Sequence, residues 1–335
     1  MMDATETREL FTLEIGRTIV RGTYHKPCDK AGTAQASAVA HERLGFCFLN
    51  SMSPTRAGTG DSAVYWADAL AKQGYRCVRF DVPGFGDSDG DPPEGLVNFI
   101  NAGGYSSSAG TIIDEVVRRF NFSGTVIAGL CAGAVSAIYT AEVSKNCKGL
   151  VLLDPYFHLR MEHKRNLRHR VREKLCWRMS RSTPGRAILS AYDQAKALWK
   201  RMFTDGLPSI ANIPLIRCWQ RLTTSGMPVL VLNASGTKLR KVEFDYLAHV
   251  LKLAGRNSRV EVKVVEGTGH TFSNRTGRSE VQNQIESWLN TSLSSEACGK
   301  SVKKTLRSEL AETARRGQEL EGLQTVNLKM ENCKL

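Results

Sequence analysis

Six short runs dominated by apolar residues recur along the chain, at 45–50, 75–81, 125–128, 147–154, 228–235 and 260–265. Each is shorter than a typical helix, and runs such as VIA and GLVLL have no polar alternation, which is how strands buried on both faces read. Between them, residues 62–74, 111–120, 134–143, 243–253 and 279–293 carry helical spacing. Strand and helix in alternation predict crossover units, hence a mostly parallel sheet with helices on both faces. Residues 10–24 alternate apolar and polar on both sides of Gly16-Arg17 and predict a hairpin at the sheet edge. Residues 31–40 are mostly small and predict a loop.

From 155 to 226 the pattern breaks. Between His158 and Arg186 there are ten Lys/Arg against two Glu, while Leu167, Val171, Leu175 and Met179 recur every fourth residue. A basic helix with a narrow apolar stripe, set between two core strands, predicts a lid over the site, continued by a second helical run at 187–202. Arg165, Arg168 and Arg172 lie on it, and His158, His163 and His169 are assigned to its polar face. The expected organisation is a core in two parts, 1–154 and 227–293, a lid at 155–226, and a polar tail at 294–335.

Composition narrows the classes. The 46 Lys+Arg against 33 Asp+Glu in 335 residues give net +13, which favours anionic partners. The basic stretch lacks a pattern of interleaved aromatics, Trp177 standing alone in it, and no recognition motif is present, so nucleic acid is not expected. Nine cysteines without a C-x-x-C pair argue against a disulfide framework and a zinc site, and for a reducing, cytoplasmic setting. The stretch MMDATETREL lacks the basic-then-apolar order of a signal peptide, and no apolar run suggests a transmembrane segment.

The chemistry centres on VIAGLCAGA, 126–134. A buried strand that stops at Gly-x-Cys-x-Gly before a helix is a nucleophile elbow, in which flanking glycines allow a tight turn and the central residue is pushed out. Cys131 takes that seat, where a helix N-terminus favours thiolate character, and the N–H of Ala132 faces an incoming oxyanion. His270 follows the last strand in the Gly-rich loop EGTGHTF, the ordinal position of a general base. The loop after the strand at 45–50 is expected to supply a second oxyanion donor near Ser51, and Arg56 is a candidate for an anionic group on substrate. The aspartates of GDSDGD, 86–91, are assigned to a turn and not to a metal.

Taken in order, NSMSPTRAGTGD, YRCVRFDVPGFGDSDG, GLCAGAVSA, GLVLLDPY and GTGHTF resemble the α/β-hydrolase fold over roughly residues 10–293. They are similar in particular to a bacterial branch with the elbow G-L-C-x-G-A, found with exosortase and exopolysaccharide systems and described as serine-aminopeptidase-like. The resemblance implies Cys131 as nucleophile, His270 as base, and the backbone of Ser51 and Ala132 as oxyanion hole. One departure stands out, because the branch carries an aspartate where this chain has Lys238. Asp154, ending the run at 147–154, and Glu243 are the two carboxylates able to stand in. The expected activity is a cysteine-dependent acyl hydrolase or acyltransferase acting on a small-molecule or carrier-borne, anionic acyl substrate, with no cofactor and no metal. The alternative is a hydrolase-fold protein that binds a ligand or partner without turnover.

Overall fold

The computed structural model describes residues 7–28, 44–50, 55–159, 207–236, 244–255 and 258–293. The chain runs β1 (Arg8–Ile15), β2 (Thr18–His25), β3 (Leu44–Leu49), α1 (Ser62–Lys72), β4 (Arg76–Phe80), α2 (Leu96–Asn101), α3 (Ser106–Arg119), β5 (Gly124–Leu130), α4 (Ala132–Val143) and β6 (Cys147–Leu153). It continues with α5 (Ile213–Thr224), β7 (Val229–Ala234), α6 (Tyr246–Ala254), β8 (Val260–Val265) and α7 (Arg275–Trp288), closed by a π-turn at Leu289–Leu293. The strands form one sheet in the order β1-β2-β4-β3-β5-β6-β7-β8. The β1–β2 hairpin and its junction with β4 are antiparallel, and every pairing from β4 to β8 is parallel.

The continuous apolar runs follow from burial on both faces. Cys47, Leu49, Ile127, Leu150 and Leu152 pack on the side of α3, α4, α5 and α6, while Phe46, Phe48, Val126, Val151 and Leu153 pack against Trp66 of α1 and Trp288 of α7. Helix α4 is buried from Ala132 to Ala141, which explains why AVSAIYTA has no polar stripe. It lies behind the centre of the sheet, so its first turn is held from every side.

Two helices were not legible in advance. Short α2 precedes α3, and α5 falls inside the stretch assigned to the lid. Leu215, Ile216, Cys218 and Trp219 of α5 are buried, and Trp219 Nε1 donates to the Val250 carbonyl of α6 at 2.9 Å. Residues 213–224 are therefore part of the core, which corrects the lid boundary at 226. Most of the expected lid, including Arg165, Arg168 and Arg172, lies outside the described residues, as does the tail from 294. Among the described residues no helix is long and apolar enough to cross a membrane.

Candidate active site

The elbow is built by exclusion of side-chain volume. A Cβ on Gly129 would stand 2.3 Å from the Gly133 carbonyl oxygen, and one on Gly133 would stand 2.2 Å from the Leu49 carbonyl oxygen. Only hydrogen fits at either place, so β5, α4 and the end of β3 close in on one another. Cys131, between them, is forced to φ 55°, ψ −110°, a conformation that side chains with a Cβ avoid. Its N–H donates to the Leu153 carbonyl at 2.8 Å, which ties the seat to the end of β6. Ala132 is the first residue of α4, so its N–H has no helical acceptor and belongs to the positive end of the helix.

Asp154 is the residue immediately beyond β6. It is 2 % exposed and is held at φ 43°. One carboxylate oxygen accepts the Ala234 N–H at 2.8 Å, and the other lies 2.9 Å from His270 Nδ1. Since β6 runs between β5 and β7, its C-terminal end sits beside both the elbow and the loop after β8.

His270 is aimed by its own loop. Asn274 caps α7 by accepting from the Gly277 N–H at 2.9 Å, takes the Thr268 hydroxyl at 2.9 Å, and donates to the Gly267 carbonyl at 2.8 Å. Ser235 Oγ accepts the Gly267 N–H at 3.1 Å, and the Gly236 N–H donates to the Thr268 carbonyl at 2.9 Å. Phe272, fully buried, anchors the far side. The result is an imidazole with one nitrogen on Asp154 and the Cys131 side chain near enough to act on its titration. Asp154 first, and then Cys131, raise its pKa from 6.5 to about 9 against the lowering effect of burial. A carboxylate and a sulfur on either side both favour the imidazolium.

The remaining expected residues fall differently. Ser51, Lys238 and Glu243 lie outside the described residues. Arg56 is not a free cation: its guanidinium is taken by Asp81, by Asp87 at 2.7 Å and by Thr23 Oγ1 at 3.0 Å. Its charge is spent inside the protein, so the expected role toward substrate is corrected to an anchoring one. Asp87 and Asp89 of the GDSDGD turn are partnered by Arg56 and Arg21. Sequence reading passed over Ser235 and Asn274, although an Asn directly before a helical run is an N-cap signal.

The comparisons agree with this arrangement at the level of fold. A model of the alpha/beta hydrolase family matches residues 57–279. No curated protein matches the sequence. Among solved structures, mouse alpha/beta hydrolase domain-containing protein 10 is 13% identical, with TM-score 0.51 over 84% of this chain and 98% of its own. An esterase from Pyrococcus furiosus is 14% identical, with TM-score 0.52 over 84% of this chain and 92% of its own. DcsB, solved with its substrate analogue, is 16% identical, with TM-score 0.53 over 84% and 99%. At such identities the structural likeness speaks to fold alone, whereas the family match spans well over half of the sequence; the chain belongs to the alpha/beta hydrolase family.

Proposed function

We propose that this protein is an acyl hydrolase or acyltransferase with a cysteine nucleophile, acting on an ester or thioester. The observation that carries the reading is the line from Cys131 through His270 to Asp154. With His270 held as the imidazolium at neutral pH, its proton having come from the thiol, the Cys131 thiolate attacks the acyl carbonyl, and a sulfur–carbon bond forms as the carbonyl π-electrons move to oxygen. The N–H of Ala132 and a backbone N–H at Ser51 hold that oxyanion. Collapse breaks the bond to the alkoxide or thiolate leaving group, which takes the proton from His270. Water or another acceptor then gives a proton to His270, attacks the thioester, and frees the sulfur.

Asp154 serves as the orienting acid in place of the missing aspartate at Lys238. Its fixed carboxylate keeps the imidazole in one tautomer and supports the positive charge that develops. The net charge of +13 favours an anionic or carrier-borne acyl donor. The experiment is steady-state turnover of aryl esters and acyl thioesters by the wild type and by Cys131→Ala. A loss of about a thousandfold or more in the variant is expected. Wild-type turnover by Cys131→Ala would defeat the reading.

A further inference from the structure

Strand β8 ends the sheet on the side away from the hairpin, and no strand among the described residues pairs with its outer edge. Toward β7 it is bonded through alternate residues: the Val229 N–H donates to the Arg259 carbonyl at 2.9 Å and the Ser235 N–H to the Val265 carbonyl at 3.0 Å. Peptide groups alternate sides along a strand, so residues 259, 261, 263 and 265 face β7 while Val260, Val262 and Val264 turn their N–H and C=O groups outward. Such an edge is a template for another strand, and proteins usually blunt it. The opposite edge shows how, since the Thr12 carbonyl of β1 is taken by Arg119 Nη1 at 2.7 Å. Strand β8 contains no proline and pairs with β7 without a break in register.

Its side chains are sorted by face. Val260, Val262 and Val264 share the side of α6, where Val260 packs against the core but Val262 is 37 % exposed and Val264 56 %. Glu261 and Lys263 share the side of α7, 3.8 Å apart, and Glu261 also accepts the Ser292 hydroxyl at 2.5 Å. A second β8 laid antiparallel, with Val262 opposite Val262, satisfies both faces at once. Val260 of each copy then lies opposite Val264 of the other and extends the apolar stripe across the junction, while Glu261 of each copy lies opposite Lys263 of the other. The outward peptide groups of 260, 262 and 264 meet one another in the hydrogen-bonded positions of an antiparallel ladder. Moving the centre one residue either way sets Glu261 against Glu261 or Lys263 against Lys263, so the charges select one register.

We propose that β8 is a self-complementary edge on which two copies of this chain associate across a two-fold axis at Val262, joining their eight-stranded sheets into one. The partner is a second copy because the charge pattern of the strand complements its own reversal. The contact is confined to one short strand, an interface below about 1,200 Å2, so the dimer forms and dissociates with concentration in the micromolar range. This association is independent of the chemistry at Cys131.

Sedimentation velocity of the full chain, from about 1 to about 200 µM, should show a dimer fraction that rises with concentration. Lys263→Glu sets carboxylates face to face on both sides of the axis and should weaken the dimer about tenfold or more. Adding Glu261→Lys to it restores opposite charges and should bring the dimer back to within about threefold of wild type. Circular dichroism should show the three chains alike. A second readout does not depend on charge. Residues opposite one another in a hydrogen-bonded antiparallel pair lie about 5.5 Å apart at Cα, within disulfide reach, so Val262→Cys should form a covalent dimer on mild oxidation where the wild type, with its native cysteines, does not. If a charge variant fails to fold, the cross-link decides. A monomer at every concentration overturns the proposal, and so does a dimer that Lys263→Glu leaves unchanged or that Val262→Cys does not cross-link.

Discussion

Replacing Asp154 with Asn tests the acid without changing the volume of its seat. Asp154 accepts two hydrogen bonds, from the Ala234 N–H at 2.8 Å and on the His270 side at 2.9 Å. An amide has one acceptor oxygen for these two places. If that oxygen stays on Ala234, the NH2 group faces His270 Nδ1 and drives the proton of the neutral ring to Nε2, so the ring can no longer take up the thiol proton to form the imidazolium–thiolate pair. The charge is lost as well. The rise of the His270 pKa from 6.5 to about 9 corresponds to roughly 3 kcal/mol, shared between Asp154 and Cys131. Taking Asp154 as the larger share and discounting for the partial exposure of the ring leaves about 2 kcal/mol, or roughly thirtyfold. The tautomer change adds to it, so acylation should slow by about a hundredfold or more. Stopped-flow release of p-nitrophenolate measures the rate, and circular dichroism checks that the variant is folded. A folded Asp154→Asn that acylates at the wild-type rate would refute the assignment.

Burial raises the thiol pKa of Cys47 and Cys147 to about 12 and pushes those of Cys77 and Cys218 well above the usual thiol range. Peptide mapping after brief iodoacetamide treatment at neutral pH should therefore find Cys131 labelled ahead of these four, and labelled more slowly in His270→Ala; protection of Cys131 while others react would mark it as structural. Because the folded pKa of His270 lies above its unfolded value of 6.5, its interactions stabilise fully below about pH 6.5 and are lost as pH rises through about 9. The melting-temperature difference between wild type and His270→Asn should shrink over that interval, and a constant difference would contradict the raised pKa. Gly133→Ala places a Cβ 2.2 Å from a backbone oxygen, whereas Gly269→Ala meets nothing within 4 Å. The first should lower the melting temperature by roughly 5–10 °C, for an overpacking penalty of about 2–3 kcal/mol. The second should barely move it, and equal melting temperatures would refute the steric account of the elbow.

What the sequence could reveal was mostly local. The strand at 147–153 was visible because two-sided burial leaves no polar alternation, β8 at the sheet edge was visible as a valine-rich run although it is partly exposed, and the elbow was visible because Gly-x-Cys-x-Gly between a strand and a helix is a local pattern, even though Gly133 answers to the distant Leu49. The choice between Asp154 and Glu243 was not visible. It depends on β6 lying next to both β5 and β7, a fact of sheet order that no stretch of sequence carries. Arg56 was misjudged for a related reason: its partners Asp81, Asp87 and Thr23 are 25 to 33 positions away, and an arginine in a loop looks the same paired or free. The burial of Arg79, 5 % exposed on β4, was hidden in YRCVRFD, where it is one of three charged residues. Helix α5 escaped because it adjoins the basic stretch, although Leu215, Cys218, Trp219 and Leu222 keep helical spacing.

The central claim is that Cys131 carries the acyl group, and intact mass spectrometry tests it without knowing the natural substrate. The protein would be mixed with a panel of aryl esters and acyl thioesters of different chain length and charge, quenched in acid, weighed, and digested to locate any adduct. The account predicts a mass increase equal to the acyl group, placed on the peptide bearing Cys131, absent from Cys131→Ala and slower to form in His270→Ala. No adduct with any donor in the wild type, or one that persists in Cys131→Ala, would contradict it.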